Sequence, residues 1–92
     1  MTRLFVRHAV SDYSVWRKGY DENQALRDDN GVKADGVYVS VDDANDVTVY
    51  HDFDSLEAAQ AYVALPDLKA VMDRIGVVGA PTIWITSEGQ AS

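Results

Sequence analysis

The sequence predicts an α+β fold built on a four-stranded antiparallel sheet, and three observations support this prediction. In four segments, residues at alternate positions form two distinct sets, the period of two that is typical of strands. The segments between them carry apolar residues at helical spacing. No linker or low-complexity tract separates them. The order strand, helix, strand, strand, helix pair, strand corresponds to the ferredoxin-like split βαβ arrangement. Right-handed crossovers then place all helices on one face, with the first and third strands central.

The first strand is predicted over residues 3–10, where the alternating residues are rich in β-formers. A helix is expected from Asp12 to Asp29. Either Ser11 or Asp12 is suited to cap it, because both side chains can accept from the free N–H groups of a first helical turn. Gly31 follows at a position where a left-handed glycine commonly ends a helix.

Residues 32–41 and 46–53 form a second pair of alternating segments. The acidic residues 42–46 between them have the length and chemistry of a hairpin loop, so the two segments are predicted to pair directly. Val37, Val39 and Val41 are expected to share one side of the first strand of this hairpin.

A pair of short helices is predicted after the hairpin. Asp54 as N-cap, with Glu57 three residues later, resembles a capping box at the start of the alanine-rich run 55–64. Pro66 suits the first turn of a helix and not its interior, so a break is expected near Leu65. The inward faces are expected to contain Leu56, Ala59 and Val63 in the first helix, and Leu68, Val71, Met72 and Ile75 in the second.

The end of the chain is predicted to add the last strand. Gly76 closes the second helix of the pair, and Gly79 and Pro81 precede a strand over residues 82–86. Residues 89–92 are expected to fray. The whole chain, residues 1–92, is interpreted as a single domain.

Composition excludes several classes of function. The 92 residues contain no cysteine, which rules out disulfides, thiolate metal sites and cysteine nucleophiles. A net charge of −7 argues against nucleic acid as a partner. No segment approaches the ~20 apolar residues of a membrane span, and no signal peptide is recognisable, so a cytoplasmic protein without a membrane partner is expected.

The face of the sheet without helices is expected to be aromatic. Sorting strand residues by parity gives one aliphatic set facing the helices and a second set that includes Phe5, Tyr38, Tyr50 and Trp84. Contiguous apolar surface of this kind usually marks an interaction site. A sheet-to-sheet homodimer that forms an α+β barrel would cover it, with Trp84 interpreted as an interface anchor rather than a pocket wall.

Two stretches of the sequence resemble small bacterial members of the dimeric α+β barrel superfamily. This superfamily includes antibiotic-biosynthesis-monooxygenase-like proteins and uncharacterised cyclase-like domains. The resemblance implies a sheet-to-sheet dimer and a pocket between helices and sheet, but it does not imply one reaction. The stretches are Leu4-Phe5-Val6-Arg7-His8, continued by Asp12-Tyr13, Trp16-Arg17 and Tyr20-Asp21, and Val47-Thr48-Val49-Tyr50-His51-Asp52-Phe53-Asp54-Ser55-Leu56-Glu57-Ala58.

Haem is not expected as a cofactor. The haem-degrading members of this superfamily use an asparagine on the first strand, together with a tryptophan and a histidine, and the first strand here has no asparagine. No other cofactor is indicated by a recognisable motif.

His51 and His8 are the candidate catalytic residues, because either imidazole could act as a general base on the helix side of the sheet. A hydrogen-bonded, inert histidine is the alternative for each. The antiparallel register separates them by ~4 residues, or ~14 Å, so a metal ion shared by the two is not expected. His51 and Asp52 are neighbours on a strand and point to opposite faces, so they do not form a metal site either.

An aromatic stripe on the first helix is the candidate ligand-binding surface. Tyr13, Trp16 and Tyr20 follow helical spacing and either fill the core or, with Met72 and His51, line a flat pocket for a small aromatic or polycyclic ligand. Arg7 and Arg27 could hold a ligand carboxylate, although solvated surface positions are the commoner situation for arginine.

Two functions follow from these patterns. The first is a cofactor-independent monooxygenase, isomerase or cyclase acting on a small aromatic substrate, with His51 accepting a proton while Tyr20 and Trp16 orient the ring. The second is a non-catalytic dimeric module that binds a ligand or serves in a stress response. A purely structural dimer, with its pocket filled by its own side chains, is a third interpretation.

Overall fold

Eight regular elements follow one another in the predicted order of strands and helices. The structure is a computed structural model that describes residues 1–89, so of the predicted frayed end only Gly89 lies within it. The elements are β1 (Thr2–Val10), α1 (Tyr13–Glu22), α2 (Gln24–Asp29), β2 (Ala34–Val39), β3 (Asp46–Phe53), α3 (Leu56–Val63), α4 (Pro66–Arg74) and β4 (Val77–Ser87).

The four strands form one antiparallel sheet in the order β2-β3-β1-β4, which confirms the predicted topology. The register places Phe5 of β1 opposite Tyr50 of β3 on one side and opposite Trp84 of β4 on the other. Because the side-chain period of a strand is two, this register sends Leu4 and Val6 to the opposite face of the sheet.

The core lies between the sheet and the helices. Alternate residues of the two central strands are buried there, as the parity predicted, and the helices cover them with aromatic and aliphatic side chains. None of the helices formed within residues 1–89 is long and apolar enough to cross a bilayer. The buried apolar residues are Leu4, Val6, Val10, Trp16, Tyr20, Val47, Val49, Phe53, Ala59, Tyr62, Leu68 and Ile75.

The first helical segment is two helices and not the single helix predicted from Asp12 to Asp29. Asp12 is the N-cap, and its Oδ1 accepts from the backbone N–H groups of Ser14 and Val15. The break comes at Asn23, whose Nδ2 donates to the backbone oxygen of Gly19 at 2.7 Å. Such a side-chain bond competes with the helical backbone pattern, which explains why the chain turns here.

The hairpin loop is longer than predicted, because β2 ends at Val39 and not at residue 41. The Ser40 hydroxyl accepts from the N–H of Asp42, and the Asp43 carboxylate accepts from the N–H of Asn45. These local bonds bend the chain away from the strand direction. Val41 is consequently 99% exposed and does not share the inner face with Val37.

The prediction of Asp54 as the N-cap of the first helix in the second pair is wrong. The cap is Ser55, whose Oγ accepts from the N–H of Ala58 at 3.1 Å, while Asp54 lies outside the helix with its carboxylate 3.6 Å from Lys33 Nζ. With the helix starting one residue later, its buried face contains Ala59 and Tyr62, and Leu56 is exposed.

The break before α4 is confirmed, since Pro66 occupies its first turn and Gly76 follows its end with a φ of +91°. The last strand is longer than predicted, because it already begins at Val77. Gly79, at a φ of +73°, lies where the pairing with β1 shifts register, and such irregularities and Pro81 are tolerated on an edge strand.

The position of the cap on α3 can be tested by comparing two adjacent substitutions. Ser55→Ala is expected to lower the free energy of unfolding by about 1 kcal/mol, because the N–H of Ala58 loses its acceptor. Asp54→Ala removes only an exposed ion pair and is expected to cost a few tenths of a kcal/mol. Urea unfolding of both variants provides the measurement, and a larger loss from Asp54→Ala would contradict the assignment.

Candidate functional site

A cavity of about 40 Å³ lies between the helices and the sheet, at the place where the sequence predicted a pocket. Both central strands and all four helices contribute to its wall. Six of the fourteen lining residues are aliphatic, and the polar, aromatic and sulfur-containing members are His8, Trp16, Tyr20, Asn23, Arg27, His51, Tyr62 and Met72.

The strand register brings both histidines to this cavity. His8 lies opposite Val47, and His51 lies opposite Leu4, so the two are four positions apart along the central strand pair, as predicted. No group of three or more metal-ligating side chains occurs among residues 1–89. At this separation, the two histidines contribute separate polar side chains to the wall of one cavity.

The first helix supplies two of its three predicted aromatic residues. Trp16 and Tyr20, one helical turn apart, stack with ring centroids 5.0 Å apart and line the cavity. Tyr13 lies outside the cavity; it stacks on Trp16 at 6.0 Å, near the start of the helix. Met72 of α4 lines the cavity as predicted.

A partly buried hydrogen-bond network links the first helix to two strands. The Tyr20 hydroxyl donates to Asp35 Oδ2 at 2.7 Å and lies 2.9 Å from His51 Nε2. The Tyr20 and His51 rings are nearly parallel, with an interplanar angle of 5°. Asp35 is a member that the sequence analysis missed, because an acidic residue on an edge strand has the same pattern as a solvated one.

This network fixes the proton positions on His51. A carboxylate can only accept hydrogen bonds, so Tyr20 donates to Asp35 and its oxygen must accept from His51. Nε2 therefore carries the proton, and Nδ1 keeps its lone pair. Nδ1 is buried and has no hydrogen-bond partner among residues 1–89. His51 thus holds an unused acceptor in the cavity region.

Burial favours the neutral forms of the histidines and tyrosines of the site. Desolvation, assisted by the charge of Arg27, lowers the pKa of His51 to about 4. Desolvation also lowers the pKa of His8. Burial raises the pKa of Tyr62 to about 12, and burial together with the bond to Asp35 raises the pKa of Tyr20 above its ordinary value.

Arg27 is buried at 3% exposure, whereas the sequence favoured solvated positions for both Arg7 and Arg27. Only Arg7 is exposed, and it pairs with Asp46. The Arg27 guanidinium lies 3.8 Å from the ring centroid of Tyr20, and its Nη1 donates to the Tyr20 backbone oxygen at 2.7 Å. The helical spacing of Arg27 from Tyr20 was the one sequence signal for this inward position.

The buried side-chain nitrogens that lack a partner in the described chain all belong to residues around this cavity. Five buried side-chain nitrogens within residues 1–89 lack a hydrogen-bond partner in the protein, and all belong to cavity-lining residues. Buried polar groups are normally paired, so five exceptions around one space need an explanation. The atoms are His8 Nδ1 and Nε2, Trp16 Nε1, Arg27 Nε and His51 Nδ1.

Met72 and Leu68 separate the cavity from a surface groove of about 290 Å³ between α4 and β4. An engineered cavity of about 150 Å³ is known to hold benzene, so a cavity of about 40 Å³ is too small for an aromatic ring. The methionine side chain is unbranched and adaptable, and its displacement would join the two spaces. Met72 is therefore positioned at the entrance.

The four predicted interface residues all lie on the helix-free face. Tyr50, Phe5 and Trp84 form one row across three strands, and the rings of Phe5 and Trp84 stack at 5.1 Å. Tyr38 is 64% exposed and stacks on Tyr50 at 6.3 Å. Gly36 lies opposite Tyr50 and leaves room for its ring, since a Cβ there would overlap it.

The burial of neutral histidine predicts a loss of stability in mildly acidic solution. The pKa of folded His51, about 4, lies below its ordinary value of 6.5, so the unfolded chain takes up the proton first. The stabilisation is complete above pH 6.5 and is lost as the pH falls towards 4, with a slope approaching about 1.4 kcal/mol per pH unit.

Urea unfolding at pH 7, 6 and 5 measures this slope, and His51→Gln should reduce it while leaving the smaller contribution of His8. Asp46 and Asp52 do not interfere, because their arginine partners lower their pKa values from an ordinary 3.8. An unfolding free energy that stays constant from pH 7 to 5 would contradict the assigned burial.

Comparison with known proteins places this fold among described structures. No protein-family model matches the sequence, and no curated protein sequence matches it. Similar solved structures include the cofactor-independent oxygenase SnoaB from Streptomyces nogalater, with a TM-score of 0.77 and 12% identity over 98% of this chain and 94% of that chain.

Two others are described as a "putative antibiotic biosynthesis monooxygenase". The one from Bordetella bronchiseptica has a TM-score of 0.82 and 9% identity, covering 97% of both chains. The one from Deinococcus radiodurans has a TM-score of 0.74 and 18% identity, covering 100% of this chain and 96% of that one. The chain therefore shares the α+β fold of these solved structures, the fold that its sequence resemblance implied.

Proposed function

We propose that the cavity binds a small hydroxylated aromatic molecule and that the protein acts on it as a cofactor-independent oxygenase or isomerase. The observation that carries this proposal is that five unpartnered buried nitrogens all belong to side chains lining one largely apolar space. A ring with polar substituents would satisfy these donors and acceptors while the aliphatic lining contacts its faces. The likeness in fold to SnoaB, described as a cofactor-independent oxygenase, agrees with this class of reaction.

The first chemical step would be proton removal by His51. The O–H bond of the ligand breaks, the proton passes to Nδ1 of His51, and the electron pair stays on the ligand oxygen. The protonated imidazole would still donate through Nε2 to Tyr20, whose hydroxyl donates to the negatively charged Asp35. The resulting electron-rich ring is the form that can react with dioxygen or rearrange. Asp35 acts through Tyr20 and is a positioning residue.

A non-catalytic binding module is the second candidate, and the low pKa of His51 favours it. A base with a pKa of about 4 holds a proton weakly at neutral pH, whereas a general base works best with a pKa near the operating pH. In such a module, Nδ1 would only accept a hydrogen bond from the ligand. The two candidates differ in whether His51 is needed for turnover or for affinity alone.

Replacement of His51 distinguishes the two candidates. With 1-naphthol and hydroquinone as probes, oxygen uptake and product formation are measured for the wild type, His51→Gln and Tyr38→Phe. Proton removal by His51 predicts that His51→Gln lowers kcat by at least about 10²-fold, while Tyr38→Phe, on the other face of the sheet, is unchanged. Binding of the probes without turnover in any variant would leave only the binding module, and absence of binding would contradict both candidates.

Replacement of Met72 tests the entrance. Met72→Ala is expected to join the cavity to the surface groove and to tighten the binding of 1-naphthol several-fold, because the ring no longer has to displace a side chain. Val71→Ala is the matched control, since Val71 lines the cavity and not the groove. Isothermal titration calorimetry provides both affinities, and equal effects of the two variants would exclude Met72 as the entrance.

We also propose that the protein forms a sheet-to-sheet homodimer through the helix-free face. The aromatic row of Tyr50, Phe5 and Trp84 supports this, since contiguous apolar surface of that kind usually marks an interface. The charged residues of the face are already paired within the chain, Arg3 with Asp52 and Arg7 with Asp46, so covering the face leaves no charge without a partner. The cytoplasmic location and the single-domain organisation of residues 1–92 stay predictions of the sequence.

The dimer is testable by light scattering. The wild type is expected to have twice the mass of the chain at micromolar concentration, and Trp84→Asp should shift it to the monomer by placing a charge within the apolar row. Val15→Asp is the control, because Val15 is an exposed apolar residue on α1, away from this face. A wild-type protein that is folded and monomeric at micromolar concentration would contradict the interface.

A further inference from the structure

One donor of a buried cation is unused at the wall of the cavity. The guanidinium of Arg27 donates through Nη1 to the Tyr20 backbone oxygen at 2.7 Å and through Nη2 to Gln24 Oε1 at 3.1 Å. Its Nε has no hydrogen-bond partner in the described part of the chain, and Asp35 Oδ2 lies 3.9 Å from it, beyond hydrogen-bond distance. A buried charge in this situation is only partly compensated.

We propose that Arg27 makes the cavity a site for an anion, and that the ligand is an aromatic ring carrying a negatively charged oxygen, either a carboxylate or a phenolate. This inference rests on the proposed function and names the chemical class that the same cavity selects. Nε would donate to the charged oxygen, and charge-assisted bonds of this kind are stronger than bonds between neutral groups.

The surroundings of Arg27 support an anion over a neutral ligand. Its guanidinium lies over the Tyr20 ring, 3.8 Å from the centroid, and is held by hydrogen bonds through Nη1 and Nη2, so its position is set before a ligand arrives. Asp35, the acidic side chain beside it, already accepts the Tyr20 hydroxyl. The chain as a whole has a net charge of −7, which repels anions, so selection of an anion has to come from a local cation.

The same group would serve the proposed reaction. When a ligand hydroxyl loses its proton to His51, the charge that develops on the oxygen needs a fixed donor within the dry cavity. Arg27 and His51 both line this space, so one ligand oxygen would meet the cation and the base together. Arg27 would therefore determine which ligands bind and would stabilise the anion once it forms.

The test compares benzoate with benzamide, two ligands of similar shape that differ in charge, by calorimetry at pH 7. The wild type is expected to bind benzoate at least about tenfold more tightly than benzamide, as a charge-assisted bond would give. Arg27→Met should remove this difference, because it weakens the binding of benzoate far more than that of benzamide. Arg17→Met is the matched control, because Arg17 lies 5.7 Å from the centroid of the same Tyr20 ring but is half-exposed and paired with Asp21.

A second variant keeps the proposal testable if Arg27→Met does not fold. Asp35→Asn removes the competing negative charge and keeps an oxygen that can accept from Tyr20, so it should strengthen benzoate binding several-fold and leave benzamide unchanged. Equal affinity of the wild type for the two ligands would overturn the role of Arg27 while leaving the cavity as a ring-binding site. Failure of both ligands to bind wild-type protein would overturn this inference and the proposed site together.

Discussion

The Tyr20 hydroxyl is the interaction on which the rest of the site depends. It joins helix α1 to Asp35 of the edge strand and to His51 of a central strand, through contacts of 2.7 and 2.9 Å. Polar groups at this depth are tolerated only when they are paired, so this one hydroxyl fixes the helix against two strands at once. It also decides which nitrogen of His51 is left free. The packing of α1 on the sheet and the hydrogen-bonding state of His51 thus both depend on the Tyr20 hydroxyl.

The two faces of the sheet differ in how their polar groups are paired. On the helix side, five buried side-chain nitrogens of the described residues lack hydrogen-bond partners, and all five belong to residues around one cavity. On the other face, the ion pairs Arg3–Asp52 and Arg7–Asp46 lie beside an aromatic row and satisfy each other. The helix side therefore has unpaired hydrogen-bonding atoms that a ligand could satisfy. The helix-free face has apolar surface that a second copy of the chain could cover.

The sequence predicted part of the site because some of its signals are local. Strand parity identified His51 as inward-facing, and helical spacing identified Trp16 and Tyr20. Neither signal could find Asp35, since its role depends on β2 pairing beside β3 and bringing the carboxylate to Tyr20. The sequence named Arg27 as a possible partner for a ligand carboxylate but did not predict its burial, because solvated surface positions are the usual place for an arginine. The break at Asn23 turns α2 so that the guanidinium lies over the Tyr20 ring.

The sequence by itself determined the order of elements, the antiparallel topology and the separation of an aliphatic from an aromatic face, because periodicity and turn residues act over short distances along the chain. The tertiary structure decided where α1 ends, which residue caps α3, and which polar side chains meet in the cavity. These outcomes depend on competition between local hydrogen bonds and on contacts between residues far apart in sequence. No sequence pattern within one element predicts such contacts. The site forms only when these contacts bring the separate residues together.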